Sequence, residues 1–447
     1  MPRRAQSADP GGPAEVLHGA LVAKRILVFP CGSEIGLEIH RSLRYSTHFE
    51  LVGASSADDH GRFVYEHYVG GLPYHEHPEF AVALERVVRE HRIDAIYPAM
   101  DAVADTLQAM SGRLGVVVIG SSSEVTAVCA SKIATYSALE GVVPVPTRYH
   151  SLEEVPAFPV FAKPDRGYGS RHTLLAHDVR AASAFLGKFA PGSMLLLEYL
   201  PGEEWTIDCF SDRHGRLLYS AARSRSRISN GISVHTRPCT HQQGIFEQWA
   251  GAIHEALGPR GAWFFQAKLD AHGQPKLLEV AARLGGSSGL ARCRGINLAL
   301  LSAFDAFGGD VSIDPNDYPI EMDRALDNRY KLDLHFQHVF VDLDDCLIVR
   351  GLVNRQLLVF LYKAISEGKR LTLITRHHRD PLLTLRDFRI GEVFDRVIHL
   401  REPCEKKSAH IDTEDAIFID DSHAERQEVQ RAHGIPVFAP DMIEALL

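Results

Sequence analysis

An apolar run near the C-terminal end breaks into carboxylates at Val341-Asp342-Leu343-Asp344-Asp345-Cys346. Two carboxylates at i and i+2 after a strand can share a divalent cation, and one of them can attack phosphorus. Three further polar positions follow in order. Thr375 ends the apolar run 371–374, Lys407 opens the short segment 407–410, and Asp420-Asp421 close the run 417–419. A single Asp at a strand end is as readily a helix N-cap. Four such sites in one order are not explained by caps.

A second set lies mid-chain. Phe161-Ala162-Lys163-Pro164-Asp165-Arg166-Gly167-Tyr168-Gly169-Ser170 sets a lysine at a strand end before a loop with two glycines and a serine. Such a loop lets backbone N–H groups approach phosphate oxygens, and the lysine adds a point charge. Taken alone, it reads equally as a hairpin turn with a surface lysine. Two other pieces shift the balance. Leu197-Glu198-Tyr199-Leu200-Pro201-Gly202-Glu203-Glu204 runs from an apolar strand into a turn and then acids, and Leu277-Leu278-Glu279-Val280-Ala281-Ala282-Arg283 buries a carboxylate within an apolar strand. That carboxylate is costly unless paired or metal-bound. Arg223, Arg225 and Arg227 alternate, so one extended stretch would set all three on one face. Arginine there suits a substrate phosphate or carboxylate; a solvated basic strand is the plainer alternative.

The elements that must position these residues alternate in two blocks. Residues 25–29, 50–54, 94–98 and 116–120 read as buried strands, with helices over 37–43 and 79–91. Near-continuous β-branched runs between helices predict a parallel sheet covered on both faces. The turn Gly32-Ser33-Glu34-Ile35-Gly36 lacks the full dinucleotide pattern and is not assigned a cofactor. From about residue 121 the pattern becomes α+β: a helix over 130–139, strands at 158–163 and 194–199, and hairpins 205–210/216–220 and 264–270/275–280. The Asp- and Pro-rich stretch 310–333 predicts a junction near 326–333. Beyond it, strands at 338–342, 371–375, 396–399 and 416–420 with helices over 356–367 and 424–432 predict a second parallel sheet, its site at the carboxyl edge. The resulting division is a tail over 1–23 and domains over 24–120, 121–325 and 332–447.

In order and spacing, the mid-chain pieces resemble the ATP-grasp ligases, in particular the large subunit of carbamoyl phosphate synthase and related amino-acid and peptide ligases. The resemblance covers residues 24–325 and implies a Rossmann-like front domain before the ATP-grasp domain. It implies ATP and magnesium (or manganese) as cofactors. Lys132 and Lys163 would contact ATP phosphates beside the loop Gly167, Gly169 and Ser170. Glu198, Tyr199 and Leu200 would form the adenine hinge, and Glu204 would hold the ribose. Gln266 and Glu279 would face magnesium, and Arg283 the phosphate or acyl phosphate. Arg223, Arg225 and Arg227 would lie over the substrate. The family usually has Asn where this chain has Ala281. Either magnesium is held with one ligand fewer, or Asp270 helps, or the site binds nucleotide without turnover. The segment Ala282-Arg283-Leu284-Gly285-Gly286 and the arginine run also resemble uncharacterised ligases of tellurium-resistance-type gene clusters.

Residues 332–447 resemble the haloacid dehalogenase-like (HAD-like) phosphohydrolases. The resemblance implies Asp342 as nucleophile, Asp344 as acid/base, Thr375 and Lys407 (or Lys406) on the phosphate, and Asp342, Asp344, Asp420 and Asp421 around magnesium. Cys346 stands where the family has Thr or Val. Thr375 follows Asp342 by 33 residues and Lys407 follows Thr375 by 32. Neither gap holds a large cap domain, so the site should be open, suited to a large substrate or one presented by the ligase.

Composition limits the rest. The 447 residues are 45% hydrophobic and 23% charged, which excludes a disordered or fibrous chain. The formal charge of −9 disfavours nucleic acid, although the arginine run and the open phosphatase keep end-processing as an alternative. A nucleotide-binding regulatory module fused to a phosphatase is the other. No run reaches membrane-spanning length, and the seven cysteines form no metal-binding spacing, so a cytoplasmic enzyme is expected. Its expected partners are small carboxylate and amine substrates and a phosphorylated substrate; a homodimer is compatible.

Overall fold

The computed structural model describes residues 23–447 except 168, 170, 230 and 403. The tail expected over 1–23 therefore falls, but for its last residue, outside them. The chain divides into two compact units at Leu326/Asp327. Among the described residues, no helix is long and apolar enough to cross a membrane.

Unit 1 opens with a parallel five-stranded sheet in the order His67–Val69, Phe49–Ala54, Lys24–Phe29, Ala95–Pro98, Val117–Val118. Strand alternation explains its two covered faces. Ile26 and Val28 pack with Ile35, Ile39 and Leu43 of the helix Glu34–Leu43, whereas Leu27 and Phe29 pack with Phe80, Leu84 and Val87 of the helix Phe80–Glu90. The first helix starts three residues earlier than expected because Ser33 caps it, its Oγ accepting from Gly36 N at 3.0 Å. Gly36 is thus helical rather than part of a nucleotide loop.

Two antiparallel sheets follow. One has the order Arg148–Tyr149, Met194–Glu198, Val160–Pro164, Leu174–Ala176; the other Leu217–Ser224, Glu204–Ser211, Gly261–Leu269, Pro275–Ala281. Alternation divides the second sheet sharply. Trp205, Ile207, Trp263 and Phe265 form a core with Phe246, Trp249 and Ile253 of the helix Gln243–Leu257. Thr206, Arg223, Gln266 and Glu279, on the opposite parity or in register with it, line a cavity instead. The helix expected over 130–139 begins at Lys132, after Ser131 caps it, and is preceded by an unforeseen helix Ser123–Cys129.

Unit 2 is a parallel sheet in the order Arg396–His399, Arg370–Thr375, His338–Val341, Ala416–Ile419, Val437–Phe438. Val339 and Val341 pack with Leu357, Phe360 and Leu361 of the helix Arg355–Ser366; Phe340 and Phe418 pack with Val429 of the helix His423–His433. Between Asp342 and the first of these helices lies only a small hairpin, Ile348–Val349 with Leu352–Val353. No cap domain stands between the described elements here.

Candidate functional sites

In unit 1 the two antiparallel sheets enclose a cleft of about 210 Å³, continuous in its lining with a cavity of about 1310 Å³. Lys163 is buried on Val160–Pro164, and its Nζ donates to Tyr136 Oη at 2.9 Å and Leu278 O at 3.1 Å. Burial pulls its pKa down to about 8, against the favourable charges of Glu279 and Glu204. Lys132 donates to Asp165 O and Gly167 O, both at 3.3 Å, and burial lowers its pKa too, with Glu279 opposing. Asp165 accepts from Ser131 Oγ and Ile133 N, tying the glycine loop to this helix start.

That loop is met by a second. A Cβ on Gly231, whose φ is +76°, would lie 2.4 Å from Gly169 C, so only glycine fits this crossing. Gly167 and Gly169 line the cleft; Ser170 lies outside the described residues. Glu198, Tyr199 and Leu200 form one wall, Glu198 accepting from Thr147 N at 2.7 Å. Glu204 stands 2.6 Å from Arg225 Nε and 3.6 Å from Lys268 Nζ. Gln266 and Glu279 are register partners whose side chains line both cleft and cavity.

Two expectations are corrected. Arg223 and Arg225 both line the cavity, but Arg227 does not join them, because the strand ends at Ser224 and a separate strand, Arg227–Ser229, begins after two intervening residues. Arg223 is buried against Asp208 (2.6 Å), Arg225 pairs with Glu204, and exposed Arg227 pairs with Asp323 (2.5 Å) outside the cavity lining. Asp270 is no cleft ligand: it closes the far hairpin turn, accepting from His272 N and Gln274 N. Arg283 lines the cavity, over the Phe264 ring, and pairs there with Asp101 at 2.6 Å. Asp101 and Tyr136 were not foreseen, since their partners lie far along the chain.

In unit 2, Asp342, Thr375 and Asp420 meet because each ends or follows one of three adjacent strands. Lys407 Nζ donates to Asp342 Oδ1 at 2.8 Å and Asp420 Oδ2 at 2.6 Å, all three groups buried. Burial pushes the Asp342 pKa up to about 7; Lys407 counters this, and Asp420 adds to it. Burial works against the Lys407 charge, but the two carboxylates outweigh it and raise its pKa. Thr375 Oγ1 is buried with no hydrogen-bond partner among the described residues. Lys406 instead lies 3.6 Å from Glu428.

One ligand expectation changes here. Carboxylate oxygens of Asp342, Asp420 and Asp421 lie within 4.8 Å of one another, but Asp344 is outside this group. Its carboxylate is turned to His377 Nδ1, 2.9 Å away. His377 was missed in the sequence because nothing local marks it; only the fold brings it to Asp344.

Residues 190–327 match the family described as ATP-grasp in the biosynthetic pathway with Ter operon. No curated protein matches the chain. Among solved structures, the biotin carboxylase–β,γ-ATP complex of Campylobacter jejuni aligns over 66% of this chain and 73% of its own, at 16% identity and TM-score 0.55. N5-carboxyaminoimidazole synthetase of Staphylococcus aureus, complexed with ADP, covers 66% and 79% at 12% identity and TM-score 0.55. An L-amino acid ligase of Bacillus licheniformis covers 63% and 74% at 19% identity and TM-score 0.51. The likeness is one of fold: a mixed α/β architecture of the ATP-grasp type.

Proposed function

We propose that unit 1 is an ATP-dependent ligase that activates a carboxylate for attack by an amine or related nucleophile. The observation that carries this reading is the convergence of Lys132, Lys163, Glu204, Gln266 and Glu279 on one cleft. Nucleotide-bound relatives of the same fold support it. Glu279 and Gln266 offer hard oxygen donors side by side, which fit magnesium or manganese. Bound there, the ion would neutralise phosphate oxygens. Lys163 and Lys132 hold the phosphates by charge, and the glycine loop covers them. The substrate carboxylate oxygen takes the γ-phosphoryl group and ADP departs. The amine nitrogen then bonds to the acyl carbon, phosphate leaves with the C–O electron pair, and the nitrogen loses a proton. Arg283 and Arg223 line the cavity beside this step.

Unit 2 acts, in this proposal, as a HAD-like phosphohydrolase in the same pathway. The oxygen-only set Asp342, Asp420 and Asp421 fits magnesium. The bound ion would offset the charge repulsion between carboxylate and phosphate ester. Asp342 attacks phosphorus and the ester P–O bond breaks, Asp344 protonating the leaving oxygen; Asp344 then takes a proton from water, which attacks phosphorus, and the bond to Asp342 breaks to free phosphate, while Thr375 and Lys407 hold the phosphoryl oxygens. For the chain as a whole we propose the cytoplasm as compartment, which its seven free cysteines support.

Ala281 favours a second reading for unit 1, a module that binds nucleotide without turnover. Screening ATP hydrolysis against amino acids and sugar acids, with mass detection of products, separates the two. A ligated product that depends on ATP supports the ligase; tight ATP binding with no turnover for any acid supports the module.

A further inference from the structure

We propose that His377 is a positioning residue for Asp344, fixing the orientation from which that carboxylate exchanges a proton with the leaving and attacking oxygens. The proposal rests on the phosphohydrolase reading of unit 2.

Asp344 has a half-exposed side chain (50%), whereas the His377 side chain is 7% exposed. An exposed Asp on a loop samples several rotamers, and only some place its carboxyl group on the reacting oxygen. His377 Nδ1 lies 2.9 Å from both Asp344 oxygens. A single N–H shared between two carboxylate oxygens fixes the direction of the group, and each oxygen keeps a lone pair for the transferred proton.

The ring is itself fixed on its other side. Nε2 lies 2.8 Å from Oγ1 of Thr384, a buried residue of the helix Pro381–Asp387. With the Asp344 carboxylate as acceptor, the proton sits on Nδ1, and the Thr384 hydroxyl is then the donor to Nε2. His399 Nε2 donates to the His377 carbonyl at 2.7 Å, and His399 is the register partner of Thr375. The phosphate-holding threonine and the acid/base are thus tied to one pair of strands.

The consequence concerns proton transfer alone. When Asp342 bonds to phosphorus, the P–O ester bond breaks and the leaving oxygen takes the Asp344 proton. An alkoxide needs that proton far more than a nitrophenolate does.

The test uses the full chain with magnesium and two substrates, p-nitrophenyl phosphate and glycerol phosphate. Wild type is compared with His377→Ala, His377→Asn and Thr384→Val. His377→Ala should lower kcat on glycerol phosphate by about 10²-fold or more, within the usual worth of acid/base help, with a much smaller loss on p-nitrophenyl phosphate. KM should stay nearly constant. His377→Asn, whose amide can donate from nearly the same place, should recover much of the loss. Thr384→Val keeps the ring and should shift the two substrates in the same unequal way, which covers a poorly folded alanine variant. Equal losses on both esters, or an effect confined to KM, would overturn the positioning role. A wild-type chain that hydrolyses neither ester would remove the phosphohydrolase reading and this role with it; an active wild type with unequal losses supports both.

Discussion

Gln266 and Glu279 stand directly opposite each other on adjacent antiparallel strands, their side chains lining the cleft while neighbouring Phe265 packs into the aromatic core. Cross-strand partners sit about 5 Å apart at Cβ, so amide and carboxylate can serve one ion. Glu279 also supports the charges of Lys163 and Lys132. Glu279→Gln should therefore abolish magnesium-dependent ATP turnover and weaken nucleotide binding. Turnover assays and calorimetry check this; unchanged turnover would remove Glu279 from the site.

Ala281 lies two residues beyond Glu279 and lines the same cavity. If a missing ligand limits the ion, Ala281→Asn should lower the magnesium concentration needed for half-maximal activity. A magnesium titration of ATP turnover measures it, and an unchanged midpoint would show that this position does not face the ion.

The pH dependence of nucleotide binding follows from Lys163. Burial lowers its pKa from the usual 10.5 to about 8 in the ligand-free protein. Phosphate favours the charged form, so affinity should be greatest below pH 8 and fall as pH rises above it. Binding near and above pH 8 should take up protons. Calorimetry in buffers of different ionisation enthalpy detects that uptake, which Lys163→Met should abolish.

The strands carrying Lys163, Glu198 and Glu279, and the strand leading into Asp342, were legible because each is an apolar run of ordinary length with a polar group within it or at its end. The strands His67–Val69, Ile348–Val349 and Val437–Phe438 were not, being two or three residues long and formed by pairing rather than by pattern. Pairing partners were the larger gap. Arginine spacing implied one face, but Asp208, Glu204 and Asp323 each claim a different arginine. Asp101 on Arg283 and His377 on Asp344 lie equally beyond local periodicity.

Unit 2 has cores of its own, one on each face of its sheet. A fragment of residues 327–447 should fold and hydrolyse p-nitrophenyl phosphate with magnesium, and in it Asp342→Asn should lose nearly all turnover. Circular dichroism and the ester assay check this. An unfolded fragment, or wild-type rates in Asp342→Asn, would contradict it.

The central claim is that the cleft between the two antiparallel sheets binds Mg-ATP through Lys163. Its most direct test is calorimetric titration of Mg-ATP into the full chain and into Lys163→Met, which retains length and apolar bulk but loses the charge. A charge-assisted hydrogen bond contributes about 1.5–3 kcal/mol, so saturable binding in the wild type should weaken by roughly 10- to 150-fold in the variant. No binding in the wild type, or equal affinity in a folded variant, would contradict the account.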